Sequence, residues 1–102
     1  MFELLMSVDE LAKKELARAN KIFLLFHSRH EGIAVIEEEV YEVANDYKLV
    51  CDHFSILKER VFRDKENINT TMLEYYAIHL ACEAIQVAAM ARKFRESKEE
   101  MK

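Results

Sequence analysis

Glu83 is a carboxylate at a position of the last predicted helix where an apolar side chain is expected. At about 100° per residue, it shares one helix face with side chains that are apolar or mostly so: Met72, Tyr76, His79, Val87, Met90 and Phe94. A buried, unpaired carboxylate is costly, so it takes up a proton, finds a cationic partner or binds a metal ion. Glu83 is therefore a candidate metal ligand.

A second set of acids lies on the preceding predicted helix: Glu38, Glu39, Glu42 and Asp46. Like charges three or four residues apart repel one another in a helix, so this stripe is unfavourable unless something positive sits among the acids. A solvated acidic face is the alternative interpretation. In an antiparallel hairpin, however, Glu39 and Glu42 would come opposite Glu83, and three or four oxygens would converge in a partly buried place. Such a site suits Mg²⁺, which takes carboxylates, retains waters and bridges to phosphates.

The composition predicts one domain that binds neither a membrane nor nucleic acid. The chain has 102 residues, of which 51% are hydrophobic and 33% charged, so it can bury a modest core. Its formal charge of −4 argues against sequence-independent nucleic-acid binding, which needs clustered Lys and Arg. No apolar run could cross a bilayer, and residues 2–6 are too short for a signal peptide, so we expect a cytoplasmic protein. Cys51 and Cys82 lack metal-like spacing, which indicates reduced, packed thiols.

The chain has no proline and one glycine, Gly32, and this scarcity of helix breakers predicts an all-α fold. Capping-box patterns, in which a hydroxyl precedes a Glu by three residues, divide the chain into periodic segments. They begin at Ser7, Ser28 and Thr71. We therefore expect residues 1–102 to form a single domain of three helices. The predicted helices span about 7–25, 29–62 and 71–96.

Helix two carries apolar side chains alternately three and four residues apart, which is a heptad seam. The seam consists of Ile33, Ile36, Val40, Val43, Tyr47, Val50, Phe54, Leu57 and Val61. At about 1.5 Å per residue the helix would be roughly 50 Å long. A compact chain of this size has a radius of gyration of about 13 Å, so the helix would extend beyond a compact domain. We expect helices two and three to form an antiparallel hairpin whose exposed apolar edge is covered by another copy, as a homodimer or homotetramer with a four-helix-bundle core.

Three segments of the chain, residues 26–32, Glu38–Glu42 and residues 83–91, resemble the MazG-like all-α nucleoside triphosphate pyrophosphohydrolases. The segment Glu38–Glu42 resembles the EExxE element of that family, and residues 26–32 and 83–91 resemble its small phage and bacterial members. The resemblance covers roughly residues 26 to 94. It implies a helical assembly of dimers or tetramers that uses Mg²⁺ to hydrolyse nucleoside triphosphates to monophosphate and pyrophosphate.

Carried over by position, the resemblance implies that Glu39 and Glu42 are the first pair of metal ligands and that Glu83 is the next. Gln86 stands where the family has its fourth acid, and it offers one neutral carbonyl oxygen instead of a carboxylate. Three alternatives follow: a weaker metal site, a site helped by the other acids of helix two, or a family member that binds nucleotide without hydrolysing it.

An active site of this kind also needs a proton acceptor and groups that bind phosphate. Glu38 adjoins the metal ligands and could accept the proton of an attacking water. Basic side chains on helix one and before the acidic segment could bind phosphates, although a solvated surface is the alternative: Lys14, Arg18, Lys21 and Arg29. A hypothesis of another class stands beside hydrolysis, namely a helical assembly protein that keeps the family's shape while its site has decayed.

Overall fold

The protein is an elongated arrangement of three helices. The computed structural model describes residues 1–22 and 25–97, and within these ranges it contains three α-helices and no strand. The helices are α1 (Phe2–Asn20), α2 (Arg29–Phe62) and α3 (Thr71–Glu96), and α3 packs against both others. The molecule measures 60 × 29 × 21 Å with a radius of gyration of 17.7 Å. The all-α prediction is confirmed, and the length of α2 makes the chain far less compact than a globular domain.

The start of α2 agrees with its predicted capping box. The Ser28 hydroxyl oxygen accepts a hydrogen bond from the Glu31 backbone N–H at 3.0 Å. The Glu31 carboxylate accepts one from the backbone N–H of His27 at 3.1 Å. The first bond satisfies an N–H group that the helix itself leaves unpaired, and the second reaches the residue before the cap, one position earlier than in a standard capping box.

The other two capping boxes do not form, although the bounds predicted for the third helix, 71–96, agree with α3. α1 begins at Phe2 instead of Ser7, because nothing before Ser7 breaks a helix and a serine is tolerated inside one. α1 ends at Asn20 instead of Leu25, and residues 23–24 lie outside the described chain. Thr71 is the first helical residue of α3 rather than its cap, and its N–H donates to the Asn69 side-chain oxygen at 2.8 Å.

The apolar seam of α2 divides into two rows, each with a spacing of seven residues. One row is half-buried on the side where α3 packs: Ile36, Val43, Val50 and Leu57. The other, which we call the exposed row, retains 44–60% of the accessible surface of each residue: Ile33, Val40, Tyr47, Phe54 and Val61. Exposed apolar side chains also cover the first half of α1, from Phe2 to Leu11. The hairpin therefore uses half of the seam and leaves the other half uncovered in a single chain.

The buried core lies at the end of the molecule where all three helices meet. Leu16, Phe26, Ala89 and Met90 form its centre. Ser97 is fully buried, and its hydroxyl accepts from the Phe26 backbone N–H at 3.0 Å while donating to the backbone oxygen at the last turn of α3. These bonds attach the α1–α2 connection to the end of α3.

The surface departs from the sequence-based expectation at the cysteines. Cys51 and Cys82 are free and exposed, so the prediction of packed thiols is wrong, because both lie outside the faces that join the helices.

None of the helices in the described ranges has the length and apolar character needed to cross a bilayer.

Gly32→Ala should destabilise the protein by about 1–2 kcal/mol, although alanine is the better helix former. An added Cβ would lie 2.5 and 2.8 Å from two ring carbons of Phe94 and 3.1 Å from Phe26. Urea unfolding measures the change. Ala34→Gly, at an exposed position of the same helix, is the control, because it measures the difference in helix propensity between alanine and glycine without a change in packing. Stabilisation by Gly32→Ala would show that the Phe94 ring moves aside freely.

Candidate metal centre

The packing of α2 against α3 brings three carboxylates together. Glu39, Glu42 and Glu83 each offer an oxygen atom that lies within 4.8 Å of those of the other two. Glu39 is on the face of α2 that meets α3, and Glu83 is in a heptad row of α3 with Tyr76 and Met90. The regular heptad spacing of both helices therefore places acids from two elements at one level of the hairpin.

Burial and mutual repulsion change the acidity of this cluster. A hydrogen bond with Glu42, burial, and the charges of Glu42 and Glu39 raise the pKa of Glu83 from 4.5 to about 7, against a smaller opposing effect of His79. Burial raises the pKa of Glu39 as well, with further contributions from the charges of Glu42 and Glu38. Two carboxyl groups can share a hydrogen bond only if one holds a proton. In the absence of a cation, a proton near neutral pH partly offsets the repulsion.

Two oxygens of the cluster have no hydrogen-bond partner among the described residues. Glu39 Oε2 and Glu83 Oε2 are both buried. Buried polar atoms in proteins are nearly always paired, and each exception needs an explanation such as an ion or a water. Carboxylate oxygens from three residues are the donors that a hard divalent cation prefers. The residues present therefore fit a cation such as Mg²⁺.

A histidine and a fourth acid adjoin the cluster. His79 Nδ1 donates to Asp46 Oδ2 at 2.6 Å, and His79 Nε2 lies 3.9 Å from Glu83 Oε1. The Asp46 side chain is only 8% exposed, whereas that of His79 is 47% exposed. The hydrogen bond and the charge of Asp46 raise the pKa of His79, and Glu83 and Glu42 add to the effect. Asp46, His79 and Glu83 form a second group with metal-ligating atoms within 4.8 Å of one another, and Glu83 belongs to both groups.

Sequence reasoning placed the acids of α2 in a stripe along the edge of the seam, where Glu39 and Asp46 lie, but it did not find the pairing of Asp46 with His79. The seven-residue spacing from Glu39 to Asp46 puts both acids on one face of α2, but it does not tell which residue of α3 lies opposite Asp46.

An open cleft of about 500 Å³ lies over the cluster. It is lined by Glu38, Tyr41, Glu42, Asn45, Asp46, His79 and Glu83. Glu38 is exposed at this cleft, as its predicted role in proton transfer requires. Gln86 is half-buried, three residues beyond Glu83, and is not among the residues that line the cleft.

The structure does not bring the four predicted basic residues to the carboxylates. Lys14, Lys21 and Arg29 are exposed and do not line the cleft. Arg18 donates from Nε to both carboxylate oxygens of Glu15 at 3.0 and 3.1 Å, and it lines a separate cavity of about 310 Å³. Helix α1 instead contributes an acid, because the charge of Glu15 adds to the raised pKa of Glu39.

Comparison with known proteins adds no relative from which a function could be transferred. No protein-family model, no curated protein and no solved structure matches the chain. Function is therefore inferred from the geometry of the carboxylates and the cleft.

In metal-free protein, the contribution of Glu83 to the free energy of unfolding should fall as the pH rises from about 5 to 8. Its folded-state pKa is about 7 and its ordinary value is 4.5, so between these values the folded chain holds a proton that the unfolded chain has released. Losing that proton should cost about 2–3 kcal/mol. His79 acts in the same direction, because its stabilisation is lost as the pH rises through a raised pKa.

The measurement is urea unfolding of the wild type and Glu83→Gln in a chelator at several pH values. Glu83→Gln should be more stable than the wild type at pH ~8, and the difference in free energy of unfolding should shrink as the pH falls toward ~5. A difference between the two proteins that does not change with pH would contradict the expectation.

Proposed function

We propose that this protein is a Mg²⁺-dependent hydrolase of the MazG-like type that converts nucleoside triphosphates to monophosphate and pyrophosphate. The observation that carries the proposal is the convergence of Glu39, Glu42 and Glu83 from two helices, with two buried and unpartnered oxygens, beside an open cleft of about 500 Å³. The resemblance of Glu38–Glu42 to the EExxE element supports the choice of reaction.

The residues of the chain have separable roles in this proposal. Glu39, Glu42 and Glu83 would hold the cation. A Mg²⁺ ion held by these carboxylates would offset phosphate charge and lower the pKa of a bound water. Glu38, exposed at the cleft, is placed to accept a proton as the attacking water loses it.

The charge of the cleft explains why a cation would be required for binding as well as for reaction. In the described residues, no lysine or arginine lines this cleft, whereas Glu38, Glu42, Asp46 and Glu83 do. A triphosphate is strongly anionic, so these acids would repel it. The substrate would therefore enter together with divalent cations that offset both sets of negative charge.

We further propose that the functional form is a homodimer or homotetramer in which a second copy covers the exposed row of α2. This row runs from Ile33 to Val61, about 42 Å at 1.5 Å per residue. A regular heptad row of large apolar side chains is the kind of surface that pairs with a copy of itself through knobs-into-holes packing. A two-fold axis beside α2 would join two hairpins into a four-helix core.

A second candidate function is that of a helical assembly protein whose site has lost its activity. Two observations favour it. Gln86 replaces an acid of the family motif and does not line the cleft, and no lysine or arginine of the described chain lines it either. In this alternative the hairpin and its exposed row would be retained for assembly alone.

Incubation of the protein with Mg²⁺ and a panel of ribo- and deoxynucleoside triphosphates should release pyrophosphate from at least one of them. Glu39→Ala should lower the rate by at least about a hundredfold, because it removes a metal ligand from a site that holds no spare acid in the position of Gln86. Glu37→Ala, which removes an exposed neighbouring carboxylate, is the matched control and should retain activity. No turnover with any nucleotide would leave the assembly function.

Phe54→Glu should dissociate the oligomer, because it places a charge in the middle of the apolar interface, where an unpaired charge is costly. Sedimentation velocity of the wild type should give a dimer or tetramer. Ser55→Glu adds the same charge at the adjacent exposed position outside the exposed row and should leave the assembly intact. A wild-type protein that sediments as a monomer at micromolar concentration would contradict the proposed assembly.

A further inference from the structure

Helix α3 carries an apolar seam of its own, which divides into two rows as the seam of α2 does. Its members alternate four and three residues apart: Leu73, Ala77, Leu80, Ala84, Val87 and Ala91. The two leucines and the valine are half-buried, whereas the three alanines are exposed. The exposed rows of the two helices therefore differ in size, because that of α2 consists of large side chains. We call Ala77, Ala84 and Ala91 the alanine row.

The exposed row and the alanine row lie on the same side of the hairpin, away from α1. Val35 of α2 lines a cavity together with residues of α1, and Ala89 of α3 packs in the core with Leu16 of α1. Ile33 is two residues from Val35, and Ala91 is two residues from Ala89. Two residues correspond to a turn of about 200° around a helix, so both rows point nearly opposite to α1. Together they form one surface, which we call the open face.

The two rows are also level with each other along the hairpin. The register between α2 and α3 follows from the bond of Asp46 with His79 and from the close approach of Gly32 to Phe94. In this register each large side chain has an alanine of the other helix at its own level, to within about one residue, or 1.5 Å. The pairs are Ile33 with Ala91, Val40 with Ala84 and Tyr47 with Ala77.

The open face has the area and the composition of a subunit interface. It is about 40 Å long and two helices, or about 20 Å, wide, which gives about 800 Å². Each partner of a stable complex contributes about 800 Å². The members of both rows are uncharged, as in the core of an interface. The cleft on the other side of the hairpin carries Glu38, Glu42 and Asp46, and these acids would repel the same acids of a second copy.

We propose that two copies of the chain join through their open faces about a two-fold axis parallel to the helices, so that α2 of each copy lies antiparallel on α3 of the other. Rotation about such an axis leaves the level of every residue unchanged. Each large side chain of the exposed row therefore meets an alanine of the partner at its own level. The inference rests on the assembly part of the proposed function, and not on metal binding or hydrolysis.

The sizes of the side chains select this axis over the alternative. A two-fold axis that crosses the helices at the level of Tyr47 would place α2 on α2 and α3 on α3, and Val40 would then meet Phe54 of the partner. Large side chains opposite one another would hold the two α3 helices apart and leave a void between the alanine rows. Voids of this kind are rare in protein interiors and costly. Large side chains packed on alanines fill the space evenly.

Disulfide formation in mixtures of two cysteine variants distinguishes the two axes. All proteins carry Cys51→Ser and Cys82→Ser, which remove the exposed native thiols. A mixture of Val40→Cys with Ala84→Cys should form a linked heterodimer on oxidation, because the two positions come within disulfide distance across the interface. A mixture of Val40→Cys with Phe54→Cys is the matched control and should not. Labelling one protein of each mixture with ¹⁵N identifies the heterodimer by its mass.

The yields of the two mixtures decide between the arrangements. A linked heterodimer in the control mixture, or none in the mixture of Val40→Cys with Ala84→Cys, would overturn the proposed axis. Sedimentation velocity of the same proteins before oxidation shows whether they assemble. A wild-type monomer would reject the assembly and this arrangement together, whereas an oligomer with the wrong pattern of disulfides would reject the arrangement alone.

A measurement on the wild type keeps the proposal testable if the variants do not assemble. In dimers of one ¹³C-labelled and one unlabelled copy, isotope-filtered NOE spectra report contacts between the copies alone. The ring of Tyr47 should show a contact with the methyl group of Ala77 of the other copy. A contact between the methyl groups of Val40 and the ring of Phe54, or no contact between Tyr47 and Ala77, would overturn the proposal.

Discussion

The close approach of three carboxylates across the α2–α3 interface is the interaction on which the rest of the molecule depends. Glu39, Glu42 and Glu83 are drawn together by the packing of apolar rows on either side of them, and their repulsion opposes that packing. The raised pKa of Glu83, about 7, expresses this opposition. A proton, the neighbouring imidazole of His79 or, as we propose, a divalent cation can relieve it, and a cation would also pair with the two buried oxygens that have no partner among the described residues.

The helical hairpin positions these acids because two periodic patterns coincide on α2. Apolar residues at seven-residue intervals provide the contact with α3, and Glu39, Asp46 and His53 follow the same interval beside them. A polar row is thereby carried into the packed face without interrupting the apolar one. The cost of burying this row is offset by hydrophobic contact on the same face and by the bond between Asp46 and His79.

Much of the fold was predictable because it depends on local pattern. The two ends of α2 follow from the cap at Ser28 and from the change to polar residues after Phe62. The bounds of α3 also agree with the prediction, although Thr71 is not its cap. The start of α1 was not predictable from Ser7, because a hydroxyl followed by a glutamate also occurs by chance inside helices.

The site was predictable only in part. Helical phase and an antiparallel hairpin predict that the half of α2 with Glu39 lies opposite the half of α3 with Glu83, and the structure shows that the two acids meet. The pairing of Asp46 with His79 could not be deduced in this way, because it depends on the register between two helices. A sequence of this regularity specifies which faces meet, but it leaves that register open, since a shift along the seam keeps apolar rows in contact. For the same reason, the absence of Lys14 and Arg18 from the cleft could be known only from the structure.

The most direct test of the account is anomalous scattering from crystals of the protein soaked in Mn²⁺. The account predicts a peak between α2 and α3, about 2–2.5 Å from carboxylate oxygens of Glu39, Glu42 and Glu83. A map without a peak there, or with the Glu83 carboxylate turned into bulk solvent away from the pair on α2, would contradict it.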